Sequence, residues 1–309
     1  MVGQRLDKAF MDVQIVPRRP KINMIKEEYI FQNIYIITTY RCNLNCAFCL
    51  FKFNHEKECT ISKVIDQLIY SIKNSPKKVY IKITGGEPFL KIRLLKRILD
   101  VCEKYKNKIF AIGIGTNGTI KIPKFFNNTN IRIDIFFSRH SINNLDTKKL
   151  YTKINNHKIT YRFNCNLIRG KIDSLRKIKQ YLEKVRKINN FSVCFRELNK
   201  ISLEKNLLYP DYVYDYEKYY AKNIVIVKDL LSEIKRDKDF VITKINGNYY
   251  DENVWMTYKN TTWVKFRIID EVKLIEYNDN YPHVIDEYVI HPDGTLTGCW
   301  DKERKLLRR

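Results

Sequence analysis

A chain of 309 residues has 57 lysines and arginines against 34 aspartates and glutamates, a formal net charge of +23, and 44% hydrophobic content. Such length and apolar share support a sizeable core and exclude a disordered chain, no run reaches the roughly 18 apolar residues of a membrane span, and the first residues lack the order of a secretory signal, so a cytoplasmic protein without a membrane role is expected. The charge points to an anionic substrate or acidic partner more than to nucleic acid, because the lysines are scattered among abundant Asn, Ile and Tyr, as an AT-rich coding sequence produces, and no arginine-rich helix, zinc finger or RNA-binding aromatic motif accompanies them.

Residues 1–28, with Pro17-Arg18-Arg19-Pro20, show no pattern and are set apart as an N-terminal extension; a core is expected over 29–200 and a second region over 201–309. Ile34 to Thr39 reads as a buried strand, and Tyr40-Arg41 opens a loop with Cys42-Asn43-Leu44-Asn45-Cys46-Ala47-Phe48-Cys49. Three thiolates within eight residues are one short of the four that complete an iron-sulfur cube. A cluster held by three leaves one iron open to a second molecule. The spacing differs from the paired C-x-x-C of zinc ribbons, and no C-x-x-C or H-x3-H follows downstream, so zinc is disfavoured. Isolated thiols are often only small hydrophobes, but these sit past the carboxyl end of a strand, the ligand end of α/β folds.

Next, Thr60 or Ser62 caps a helix whose apolar face is Ile61, Val64, Ile65, Leu68, Ile69 and Ile72. The strand Val79 to Thr84 runs into Gly85-Gly86-Glu87-Pro88, where glycines admit a close backbone approach and a carboxylate can accept from an ammonium group. Alone, that string is a turn. A helix from Ile92 to Tyr105 turns Leu94, Leu95, Ile98, Leu99 and Cys102 inward, and strands follow at Ile109 to Ile114, Ile131 to Phe137, Thr160 to Ile168 and Ser192 to Leu198. A helix with Leu175, Ile178, Tyr181, Leu182 and Val185 precedes the last of these. Six strands, each but one followed by a helix, predict a parallel α/β sheet, open or closed.

Beyond residue 200 a Tyr-rich stretch, Tyr209 to Tyr220, leads into an amphipathic segment, Ile224 to Ile234, and into strand-like runs at Phe240 to Ile245 and Thr262 to Ile275, with Asn246-Gly247 as a hairpin signal. Tyr288 to Trp300 reads as another hairpin turning at Pro292-Asp293-Gly294. These antiparallel strands are expected to cover the open side of the core.

The cysteine loop, Phe48 included, resembles the signature loop of the radical S-adenosylmethionine (SAM) superfamily, and Gly85-Gly86-Glu87-Pro88 resembles the motif that holds the amino end of SAM there. The resemblance implies a (β/α)6 partial TIM barrel with a C-terminal α+β capping region, one 4Fe-4S cluster on Cys42, Cys46 and Cys49, and SAM against Phe48, Gly85, Gly86, Glu87 and Pro88. It also makes the strand ends cofactor-contact candidates: Thr116 and Asn117, equally an Asn-Gly turn with Gly118, and Ser138. Asn164 and Arg196 resemble residues that contact the SAM ribose and carboxylate in the MoaA-like branch; an Arg196–Glu197 ion pair is the structural alternative. His140 is the candidate proton donor or acceptor, with a hydrogen-bonded surface group as its bland reading. The C-terminal hairpin resembles that of the SPASM and Twitch groups, where it feeds cysteines to a second cluster; with Cys299 alone in this region, a single cluster is expected.

The implied reaction is reductive cleavage of SAM to a 5'-deoxyadenosyl radical that abstracts hydrogen from substrate, with the cofactor carrying the difficult chemistry. A peptide substrate, as in ribosomal peptide modification, is the first expectation, a nucleotide or nucleic acid the alternative, and a non-catalytic iron-sulfur binding protein the minor one. The basic face suits a flavodoxin- or ferredoxin-type electron donor.

Overall fold

The computed structural model describes residues 31–51, 57–145, 157–188, 191–199, 210–247, 251–270, 287–300 and 306–308, with Lys273, Asn280 and Ile285 as single residues between them. The proposed N-terminal extension and Tyr209 lie outside the described residues.

Six strands run parallel and in chain order: β1 (Phe31–Ile37), β2 (Lys78–Thr84), β3 (Ile109–Thr116), β4 (Ile133–Ser138), β5 (Ile159–Asn166) and β6 (Phe191–Arg196). Alternate residues, Ile34 and Ile36 on β1, Val79 and Ile81 on β2, Ile133 and Ile135 on β4, are fully enclosed against the helices. Helix α1 (Ile61–Asn74) is capped by Thr60, whose hydroxyl accepts from the amide of Lys63, and buries Val64, Ile65, Leu68 and Ile72. Helix α2 (Ile92–Lys104) buries Leu94, Leu95, Ile98, Leu99 and Cys102, and α3 (Leu175–Arg186), capped by Ser174, buries Ile178, Tyr181, Leu182 and Val185.

The strand-helix alternation is less regular than expected. After β3 the connection holds only a 3-10 turn, Lys124–Asn128, and after β4 only a shorter one, Ile142–Asn144, among the described residues. Gly118, Pro123 and Asn127-Asn128-Thr129 explain the first, since each favours a turn over a helix interior.

The C-terminal region continues the same sheet. After α4 (Pro210–Asn223) and α5 (Val227–Ile234), the strands β7 (Phe240–Gly247), β8 (Asp251–Tyr258) and β9 (Thr262–Ile269) form a meander whose last member pairs parallel with β6. At the other edge β10 (Glu287–Ile290) pairs parallel with β1, followed by the short antiparallel β11 (Leu296–Thr297) and β12 (Leu306–Arg308). These strands extend the barrel sheet at both edges, giving the order β12-β11-β10-β1-β2-β3-β4-β5-β6-β9-β8-β7. Asn246 and Gly247 are the last paired residues of β7, opposite Asn253 and Glu252, and not the turn itself.

The sheet is strongly curled. The Tyr35 phenol on β1 lies within electrostatic reach of Arg267 on β9 and Asp251 on β8, although five strands separate β1 from β9; flat strands would hold them roughly 29 Å apart. The result is a partial TIM barrel whose inner face carries every second strand residue.

Candidate active site

The loop after β1 is seated on the loop after β2 by backbone bonds. The amide of Thr38 donates to Thr84 O (3.0 Å), that of Gly86 to Thr39 O (2.7 Å) and that of Glu87 to Arg41 O (2.9 Å). The two glycines are required by this contact: Gly85 has φ +123°, and a Cβ on Gly86 would overlap the carbonyl oxygen of Arg41. Close approach is therefore made to the cysteine loop's own backbone.

Glu87 turns inward and is fully buried. Its carboxylate accepts from the Phe89 amide (3.0 Å), the Thr116 hydroxyl (2.8 Å) and the Asn117 amide (2.7 Å), which joins the ends of β2 and β3. Burial raises its pKa against the pull of these donors. Pro88 opens the 3-10 turn that follows and is buried. Asn117 completes the join: its side-chain amide donates to Asn43 Oδ1 (2.8 Å) and reaches Cys42 Sγ (3.5 Å). Thr116 and Asn117 thus do more than form an Asn-Gly turn.

Cys42 is exposed and Cys46 and Cys49 are half-buried, all three as free thiols. The Cys49 amide donates to Cys46 O (3.1 Å), a tight turn that fixes their separation. Among the described residues no three His, Cys, Asp or Glu side chains could hold one metal ion; a cube differs because each thiolate takes a different iron, so the donors need not meet at one point. Three accessible soft donors and no neighbouring carboxylate in the run fit such a cluster. Behind the loop, Glu58 accepts from Thr39 Oγ1 (2.5 Å) and pairs with Lys91, a brace the sequence reading missed because neither residue belongs to a motif.

The ends of β4 and β5 bring Ser138 and Asn164 into register as neighbours, and Asn166 and Arg196 on β5 and β6 likewise. Arg196 donates through Nε to Asn166 Oδ1 (2.7 Å), while Glu197 accepts from the Val227 amide (2.7 Å); no Arg196–Glu197 ion pair occurs among the described residues. Arg139 was not singled out from the sequence, yet its guanidinium donates to the carbonyls of Asn117, Ser138 and Gly118 and locks β3's end to β4's.

His140 lies in the site but as a neutral ring. Its Nδ1 accepts from the Asn166 amide (2.9 Å), its ring meets Phe48 edge-on at 4.6 Å, and burial, reinforced by Arg196, Lys171 and Arg139, lowers its pKa to about 3. Near neutral pH the ring therefore stays neutral, with its proton on Nε2 because Nδ1 is the acceptor. Phe48 also packs on Tyr216 of α4, against which Tyr220 stacks, closing one flank of the loop.

The Pro292-Asp293-Gly294 turn docks beside the same loop. The Cys59 amide donates to Pro292 O (2.8 Å) and Gln67 Nε2 to Gly294 O (2.8 Å), and Trp300 meets Tyr35 of the inner face at 4.7 Å.

The structure is a partial barrel with three cysteine thiols on the loop after β1, at the carboxyl ends of its strands, braced by the loops after β2 and β3. The radical SAM superfamily model matches residues 36–191, from within β1 to the first residue of β6, and the chain belongs to that superfamily. Its members are enzymes that use a 4Fe-4S cluster and SAM. An uncharacterised protein of Methanocaldococcus jannaschii is 31% identical over 37% of this chain and 41% of that protein. The probable GTP 3',8-cyclase of Methanococcus aeolicus is 33% identical over 29% of this chain and 30% of its own, and the 7-carboxy-7-deazaguanine synthase of Haemophilus influenzae 32% over 27% and 35%. The matched stretches span less than half of each relative. Among solved structures, anSMEcpe with bound AdoMet shares the fold at TM-score 0.52 and 16% identity, over 86% of this chain and 74% of that one; its complex with AdoMet and the Cp18Cys peptide gives 0.51 and 16% over 87% and 74%. No helix among the described residues is long and apolar enough to cross a membrane.

Proposed function

We propose that this protein is a radical SAM enzyme with one cluster on Cys42, Cys46 and Cys49, and that it removes a hydrogen atom from a carbon of an anionic substrate. The observation that carries this reading is the Glu87–Thr116–Asn117 network, which ties the cysteine loop to the ends of β2 and β3. When bound, the cluster and SAM supply one electron and a C5'–S bond whose cleavage yields methionine and a 5'-deoxyadenosyl radical. The chain's part is placement. Phe48, Gly85, Gly86, Pro88, Thr116, Asn117, Ser138, Asn164 and Arg196 are assigned to the SAM pocket, with Glu87 positioning it from behind. His140 is assigned a packing part at the loop flank, its ring against Phe48 and its Nδ1 accepting from the Asn166 amide, and not an acid-base one. An acidic flavodoxin- or ferredoxin-type donor, drawn to the net charge of +23, supplies the electron in the cytoplasm.

For the substrate, the inner face favours a nucleotide or related phosphorylated molecule, because its strands present Lys82, Arg162, Arg196 and Lys265. A peptide remains the second reading, favoured by the SPASM-like turn at Pro292-Asp293-Gly294 docked beside the cysteine loop. The test offers the reconstituted enzyme carbon-deuterated nucleotides or carbon-deuterated peptides with SAM and dithionite. Deuterium in 5'-deoxyadenosine from one pool assigns the substrate class; none from either refutes both.

A further inference from the structure

We propose that the inner face between β2, β5, β6 and β9 holds the phosphate group of the substrate, with Arg162 and Lys265 as its principal contacts. This rests on the enzymatic reading above and narrows its substrate to a phosphate ester. Strand register alone gathers the groups: Arg162 lies opposite Ser192, Cys194 opposite Lys265, and Arg196 opposite Arg267. All lie on the same face by the alternation of β-strands.

The charges do not balance. Arg267 is neutralised by Asp251 through a bidentate pair, with Nη2 to Oδ2 at 2.7 Å and Nε to Oδ1 at 3.1 Å. Lys82, Arg162, Arg196 and Lys265 form no ion pair among the described residues. Lys82 donates to the Tyr35 phenol (2.9 Å). The Arg162 guanidinium is spread over the Phe136 ring at 4.1 Å and its Nε donates to Asn164 (3.2 Å), which fixes the plane of the fork and leaves both terminal nitrogens for a ligand. Lys265 stands over the Trp255 ring at 5.0 Å. Two polar groups beside them, Ser192 Oγ and Asn253 Oδ1, are buried at 7% exposure without a hydrogen-bond partner.

Unpaired cations crowded together and an unsatisfied hydroxyl are costly in a folded protein, and an oxyanion relieves both at once. A carboxylate with its single charge would leave most of the cations uncompensated. With Arg196 assigned to SAM and Glu287 acting on Lys82, the two cations left, Arg162 and Lys265, match the charge of a dianionic phosphate that accepts from the Arg162 fork, Lys265 and the Ser192 hydroxyl. The strain shows in Lys265, whose pKa burial lowers to about 7 with help from Arg162 and Arg267, and in Lys82, which burial and Arg267 lower to about 8.

The test is calorimetric titration of the anaerobically reconstituted, SAM-loaded protein with uridine 5'-monophosphate, uridine, inorganic phosphate and acetate. Expected are one site for the nucleotide, competition by phosphate, no competition by acetate, and affinity at least about tenfold above uridine's. Lys265→Met should weaken the nucleotide by about tenfold or more while its Tm stays at or above that of the parent, since an unpaired buried cation has been replaced by an apolar chain. Should that variant lose Tm, Arg162→Lys, which keeps the charge and loses the fork, reads the same site with a similar weakening. Lys96→Met, on the exposed face of α2, should change nothing. Equal binding of uridine and its monophosphate, competition by acetate as strong as by phosphate, or full affinity in both Lys265→Met and Arg162→Lys would overturn the proposal. SAM cleavage by the same unsubstituted preparation is measured separately. Its absence beside intact phosphate binding would strike the enzymatic reading alone.

Discussion

At the scale of single residues, the site depends on the contacts that hold its loops to one another. Glu87→Gln keeps the shape but sets an amide NH2 against one of the donors Phe89 N, Thr116 Oγ1 or Asn117 N. The expected loss is about 2–3 kcal/mol in denaturant unfolding, together with a lower iron content after reconstitution; unchanged stability would show that these bonds do not hold the loops together. Gly86→Ala drives a methyl into the Arg41 carbonyl, so the cysteine loop must lift at a cost of about 1–3 kcal/mol, read as reduced iron per chain. Glu183 gives a pH signature away from the site. Lys259 and the Tyr258 hydroxyl hold its carboxylate down to about 2. A carboxyl with a depressed folded pKa contributes stability above its unfolded pKa and loses it as pH falls toward the folded one. The Glu183→Gln variant should therefore flatten the stability profile between about pH 4 and 2, and at pH 7 cost no more than about 1 kcal/mol because the pair is solvated.

At the scale of elements, the C-terminal hairpin braces the loop end of the barrel. Asp293 accepts from the amide and hydroxyl of Thr295, both at 2.9 Å, and that turn presents Pro292 O to the Cys59 amide. Asp293→Ala should cost about 1 kcal/mol and speed hydrogen exchange at the Cys59 amide; unchanged exchange would mean that the hairpin does not steady the segment after the cysteines. The elements also show what the sequence discloses. Strands β1 to β4 were legible because each buries several Ile or Val, and α1 to α3 because their apolar residues recur at three and four. Strand β8 was not, since it opens on Asp251-Glu252-Asn253, and its turn to β9 uses Lys259 and Asn260 at positive φ, where a glycine would have announced it. The 3-10 turn after β3 likewise follows from turn residues that carry no periodic signal.

At the scale of the whole molecule, the cluster loop could be read directly because its three cysteines are neighbours in sequence, whereas the inner face could not. Lys82 and Arg267 are distant along the chain, and only the curl of the sheet sets them within reach of each other. The same holds for Glu87, whose place at a strand end was evident but whose inward direction depends on β3 arriving beside it. His140 meets Phe48 of the cysteine loop, and burial together with Arg196, Lys171 and Arg139 disfavours its charged form. The molecule joins one locally written feature, a cysteine loop, to a basic interior assembled from several strands. The central claim is that the loop supports reductive cleavage of SAM. The most direct measurement is 5'-deoxyadenosine formation by anaerobically reconstituted protein with SAM and dithionite, beside a variant with Cys42, Cys46 and Cys49 all replaced by alanine. The account predicts 5'-deoxyadenosine from the intact protein and none from the variant; equal amounts from both, or none from protein shown spectroscopically to hold a 4Fe-4S cluster with SAM and nucleotide both present, would contradict it.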